Sequence, residues 1–141
     1  MNRFAASACL ALLLLPAVAA ADVPVRVRIL RGSRQGPAKI DPKLADLQKQ
    51  LGKLAYQRWE QVAETQLVMV EKKTHFVDLP DGNHVALTVQ GVNDGTVTVE
   101  VALAQRNTVS RLTIDKEKRI VHQVTGEKSG VAYFVSFRAW P

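Results

Sequence analysis

Two hydrophobic periods succeed one another along the chain. In VPVRVRIL, Val25, Val27 and Ile29 alternate with Arg26 and Arg28, the two-residue period of a strand with one buried and one wet face. RGSRQGPAK follows, and its two glycines and proline predict that the strand gives way to a loop there. DPKLADLQKQL then switches to the helical period. Asp41 is placed to cap free amides, Pro42 suits the first turn, Leu44, Leu47 and Leu51 share one face, and Gly52 closes the segment. Between Ala55 and Glu64 the pattern is divided, because Trp59 and Val62 continue the helical stripe while LVMVEKK after Gln66 favours extended backbone. The reading adopted is an irregular strand from about Arg58.

From Thr74 the alternation is cleaner. LPDGN and VNDGT are turn signals, and the pattern predicts three-residue loops with Gly82 and Gly95 left-handed. That register sets Val77 against Val85, Leu87 against Val101 and Val89 against Val99, so that all the large aliphatics share one face. The predicted meander is Thr74–Leu79, His84–Gly91 and Thr96–Ala104, with Val77, Leu79, Val85, Leu87, Val89, Val97, Val99, Val101 and Leu103 as its core face. Thr108–Ile114 and Arg119–Val124 continue it. GVAYFVSFRAW is apolar at nearly every position, as a central strand covered on both sides would be. Seven to eight short strands with one short amphipathic helix define a mainly β fold, an antiparallel β-sandwich or a partly closed barrel.

The chain opens MNRFAASACLALLLLPAVAAAD, with a cation, a short apolar run and then alanines, the order of a secretory signal peptide. Residues 1–21 are expected to be removed and residues 22–141 to form a single exported β-rich domain. The apolar run is shorter than the roughly 20 residues that span a bilayer, so no integral membrane segment is expected after cleavage. The only cysteine, Cys9, precedes that run and leaves with it, so disulfides play no part in the exported form. Destination beyond the inner membrane, periplasmic or extracellular, is left open, as is oligomeric state.

Charge sharpens the picture. Of 19 lysines and arginines against 13 acids in the whole chain, five lie between Val23 and Ile40 with no acid among them. Residues 41–141 hold 13 cations and 12 acids, so the basicity is concentrated at the amino end. Arg26, Arg28, Arg31, Arg34 and Lys39 are therefore the candidate anion-binding residues, with Arg26 and Arg28 projecting from one face. Two other readings stand beside this one: a solvated strand whose charges protect a sheet edge, and docking onto an acidic envelope protein. Nucleic acid is not an expected partner, because the chain is exported and no aromatics interleave with the arginines.

Candidate chemistry changes little. Three histidines and no cysteine in the exported part offer no metal set, and His75 and His84 fall near opposite ends of paired strands. His75 has core-face parity and reads as a half-buried histidine satisfied by backbone. TGEKSG, Thr125 to Gly130, lacks the glycine before the lysine that a phosphate loop requires and reads as a hairpin loop. No G-x-S-x-G frames a nucleophile. Phe76 has outer-face parity beside Ala86 and reads as part of a second small core. Neither catalytic residues nor a cofactor is expected. The expected function is a non-catalytic binding or accessory module of the bacterial cell envelope, touching an anionic polymer or acidic partner through its basic first strand. The alternative is a small hydrolase with a pair of carboxylates acting on an envelope polymer.

Overall fold

The computed structural model describes residues 20–103 and 107–140, so the expected signal segment lies outside the described residues apart from Ala20 and Ala21. Nine strands are present among them: β1 Asp22–Ser33, β2 Lys39–Ile40, β3 Arg58–Val70, β4 Thr74–Asp78, β5 His84–Asn93, β6 Thr96–Leu103, β7 Thr108–Asp115, β8 Arg119–Gln123 and β9 Val131–Ala139. They form two sheets. Sheet A has the order β2-β3-β1-β9-β8 and sheet B the order β4-β5-β6-β7. All pairings are antiparallel except β2 with β3. The mainly β sandwich with one short helical segment is the class that the alternation predicts, and the two-residue β2 is the strand it does not.

The alternation is physically simple. Val23, Val25, Val27 and Ile29 of β1 face the space between the sheets with Val135 and Phe137 of β9, and meet Val85, Leu87, Val89, Val97, Val99, Val101 and Leu103, all at most 4% exposed. A second core lies on the other side of sheet A. There Leu44, Leu47 and Leu51 of the helical segment cover Leu30, Tyr56, Trp59, Ala132 and Phe134. β9, paired with β1 and β8, is thus covered on both faces along half its length, which explains its nearly continuous apolar sequence.

A bulge lets β3 serve both cores. Trp59 pairs with Gly32 and Gln61 with Leu30, but Ala63 pairs with Ile29, leaving Val62 as an inserted residue that reverses the parity. Trp59 consequently faces the helical segment while Met69, fully buried, faces the other sheet. The same residue explains why the sequence pattern between Ala55 and Glu64 is divided.

β1 does not end at the glycine where a loop is expected. It runs through Gly32 to Ser33, because the rings of Tyr56, Trp59 and Phe134 lie on the Gly32 backbone: a Cβ there would sit 3.1 Å from each. The glycine is needed for close approach and not for a turn. Gly32→Ala should therefore cost roughly 1–3 kcal/mol in a urea titration, the usual price of overpacking.

The helical segment follows its sequence signals with two differences. Asp41 caps it, accepting from the Lys43 amide at 3.0 Å, and Pro42 opens it. Pro42–Leu47 is 3-10 and only Gln48–Leu51 is α. Gly52 ends the segment at φ −63°, an ordinary helical value, so its left-handed freedom is unused.

In the meander, Val77 faces Val85, Leu87 faces Val101 and Val89 faces Val99, as the pattern requires. The first loop is the expected three-residue one, closed by the Leu79 amide on the Asn83 carbonyl at 2.8 Å with Gly82 at φ 87°. The second is a two-residue turn instead. Asn93 pairs with Thr96 around Asp94 and Gly95, at φ 47° and 80°, a type I′ geometry. A register shift between Val89 and Gly91 absorbs the extra residue and restores the aliphatic pairing.

The chain crosses between sheets at β3–β4 and β7–β8. Both corners sit at the end where β1 begins, since Val70 pairs with Asp22 and Arg119 with Arg138, itself opposite Arg26. No helix is long and apolar enough to cross a membrane among the described residues.

Candidate anion-binding face

The five residues of the basic run part company in the fold. Arg26 and Arg28 do share the outer face of sheet A. Arg31 lies on the opposite face of β1, and Arg34 and Lys39 lie in the loop and strand beyond it. The continuous free strip that the sequence suggests is not what these residues form. Arg26 pairs with Glu64 and Arg34 with Glu127, Arg31 lies 3.9 Å from Glu60, and Arg28 is only 2% exposed against Asp46. Only Lys39 of the five has no carboxylate partner among the described residues. The reason is that extended backbone alternates sides, so a charge run in sequence is divided between two surfaces.

A different positive surface is assembled across strands. On the outer face of sheet A, Arg26 of β1 is directly opposite Arg138 of β9, which is directly opposite Arg119 of β8. The next row inward contains Arg28, opposite Ser136. Arg28 lies where the helical segment begins to cover the sheet, donating to both Asp46 carboxylate oxygens at 2.9 and 2.7 Å. Arg119 Nε also approaches Asp46, at 2.8 Å, but off the hydrogen-bond axis. Arg138 has no carboxylate partner among the described residues. Its guanidinium stacks 4.7 Å from the centroid of the Trp140 ring, and its buried Nε has no acceptor. Four guanidinium groups thus share two carboxylates, Glu64 and Asp46.

Those carboxylates respond as expected. Hydrogen bonds from Arg28 hold the Asp46 carboxyl below its ordinary pKa against the opposing effect of burial, and Arg26 does the same for Glu64. A carboxyl whose pKa is lowered by folding contributes stability that is complete above its unfolded pKa of about 4 and is lost as pH falls through the folded value. The contribution of these two carboxyls should be constant from about pH 7 to 5 and decline below about pH 4, while His122, whose pKa burial lowers, removes stability as pH falls below about 6.5, so melting temperature should ease downward from there and fall more steeply below about pH 4. In Asp46→Asn, differential scanning calorimetry should show a shallower acid limb.

Sequence reading missed Arg119 and Arg138. Arg138 stands in a segment read as apolar at nearly every position, yet it shares the parity of Ser136, a faint sign that this face turns polar towards the end of β9.

Between β7 and β8, which diverge into different sheets, a cleft of about 320 Å³ is lined by Thr108, Ser110, His122, Gln123 and Thr125 above Val101 and Leu103. Burial lowers the His122 pKa, so the imidazole is neutral at pH 7. No carboxylate among the described residues lines this cleft. Asp41 and Glu60 do line one concavity, but Asp41 is committed to the amides of Lys43 and Gln61. His75 is half-buried opposite Leu87, and its Nε2 finds no partner, where backbone satisfaction is the expectation. Phe76 is 68% exposed and does not join a second core, because among the described residues neither the helical segment nor another strand covers the outer face of sheet B. The two histidines lie apart, with His84 paired to Asp78. No cluster of three metal-ligating side chains occurs among the described residues.

No protein-family model, curated protein or solved structure matches the chain.

Proposed function

We propose that the chain is an exported, non-catalytic binding module of the bacterial cell envelope, and that it contacts an anionic polymer or acidic partner through the outer face of sheet A around Arg26, Arg119 and Arg138. The observation that carries this reading is the row of three arginines placed directly opposite one another across three strands. Like charges in that relation disfavour the sheet, so the row is a standing cost that a bound oxyanion relieves. The Arg138 guanidinium has no carboxylate partner among the described residues, and a phosphate or carboxylate group is the acceptor that a guanidinium fork best fits.

Retention on a polyphosphate-bearing matrix tests this reading. Wild-type protein should be held at about 0.1 M salt, where the screening length is about 10 Å, and released well before 1 M, where it is about 3 Å. Arg138→Gln should elute several-fold earlier in the gradient. Equal and weak retention of both proteins at low salt would reject the reading.

A further inference from the structure

The arginine row has an apolar neighbour on the same face. Val68 pairs with Pro24, and Trp140 donates its amide to the Pro24 carbonyl at 2.9 Å, so Val68, Pro24 and Trp140 form a second cross-strand row beyond Gln66, Arg26, Arg138 and Arg119. Val68 is 54% exposed and Trp140 36%, and Pro24 is exposed as well. Two residues along a strand separate the rows, or about 7 Å. The Arg138 guanidinium over the Trp140 ring ties one row to the other.

We infer that this face docks onto the surface of an anionic phospholipid bilayer, the inference resting on the anion-binding reading above. A soluble polyanion is served by the arginines alone and leaves the exposed valine, proline and tryptophan in water. A bilayer surface satisfies both rows at once. Headgroup phosphates meet the guanidinium row, and the apolar row enters the boundary between headgroups and acyl chains, the depth at which tryptophan concentrates. Attraction of the guanidinium row to an anionic leaflet is screened by salt. The protein lies on such a surface and does not span it.

The test uses the purified protein in the form its host cell produces, with three probes: phosphatidylglycerol–phosphatidylethanolamine vesicles, phosphatidylcholine vesicles, and inorganic polyphosphate in solution. Tryptophan emission reports the contact, because Trp59 is 2% exposed and already shielded, which leaves Trp140 to respond. The expected result is cosedimentation about tenfold stronger with the anionic vesicles than with phosphatidylcholine, together with a blue shift of emission. Val68→Ser with Trp140→Ser should weaken vesicle binding about fivefold or more, Val68→Ser alone should leave polyphosphate binding within about twofold, and phenylalanine in place of serine at position 140 should restore most of the loss. Both changes lie on exposed positions, and near-ultraviolet circular dichroism of the Trp59 core verifies folding. Vesicle binding with no emission shift and no loss in the double variant overturns the bilayer docking while leaving anion binding standing, and points to a soluble polyanion or acidic protein. Failure to bind either vesicles or polyphosphate overturns both.

Discussion

Asp46→Ala should lower the unfolding free energy by about 3 kcal/mol, the lower end of the roughly 3–5 kcal/mol that follows when one member of a buried ion pair is removed. Arg28 is 2% exposed and gives both arms of its fork to Asp46, whereas the Asp46 side chain is 29% exposed. Without the carboxylate, the guanidinium keeps only a 3.4 Å contact to the Lys43 carbonyl. The water that reaches the Asp46 side argues for the lower end of the range, because it partly rehydrates the stranded charge. Arg119 loses its 2.8 Å neighbour in the same step, which leaves the arginine row less neutralised. Urea denaturation measures the loss, and a decrease below about 1 kcal/mol would contradict the role assigned to the pair. Arg28→Met combined with Asp46→Ala should recover much of the stability, since an apolar side chain in the buried position leaves no charge to compensate. A double variant less stable than Asp46→Ala would show that Arg28 packs in a way no aliphatic chain replaces.

Trp59→Ala should cost about 3–5 kcal/mol, as large-to-small changes of buried aromatics do. Trp59 is 2% exposed and lies in a T-shaped cluster, with ring centroids 5.9 Å from Tyr56 and 4.8 Å from Phe134. Its indole Nε1 donates to the Tyr56 carbonyl at 3.2 Å, so truncation also strands an acceptor. The cluster is what the helical segment is fastened to, and its loss should expose Leu44, Leu47 and Leu51 together. Melting temperature should drop by on the order of 10 °C or more, with loss of the near-ultraviolet dichroism. Trp140→Ala, at a position 36% exposed and stacked on Arg138, should cost about 1 kcal/mol, well short of the Trp59 loss. Equal losses in the two tryptophan variants would refute the assignment of separate roles.

Much of this architecture is legible in the sequence because its causes are local. The alternation of Val25, Val27 and Ile29, the spacing of Leu44, Leu47 and Leu51, and the opposition of Leu87 to Val101 each reflect a period of two or 3.6 residues acting on nearby side chains. What escaped depends on distant partners. Gly32 stays in its strand because of Tyr56, Trp59 and Phe134, and no local signal announces those rings. The turn at Asp94–Gly95 is shorter than the hydrophobic pattern suggests, because a bulge near Gln90 corrects the register within the strand. The arginine run was misleading for the same reason. Arg28 meets its carboxylate 18 residues away, Arg26 at 38 and Arg34 at 93. The positive surface that does form brings Arg26 to Arg138 across the β1–β9 pairing, and Arg138 to Arg119 across β8–β9. It required knowing which strands are neighbours, and single-residue patterns do not carry that information.

Positive charge accumulates on sheet A by strand pairing and not by proximity in the chain. The most direct test removes three cations from each place and compares the proteins at equal net charge. One variant carries Arg26→Gln, Arg119→Gln and Arg138→Gln, and the other Arg31→Gln, Arg34→Gln and Lys39→Gln. Binding of inorganic polyphosphate is then titrated against salt. The first variant should lose the steep salt dependence, while the second keeps affinity within about twofold of wild type. Loss of binding in the second variant with retention in the first would contradict the account, and so would equal losses in both.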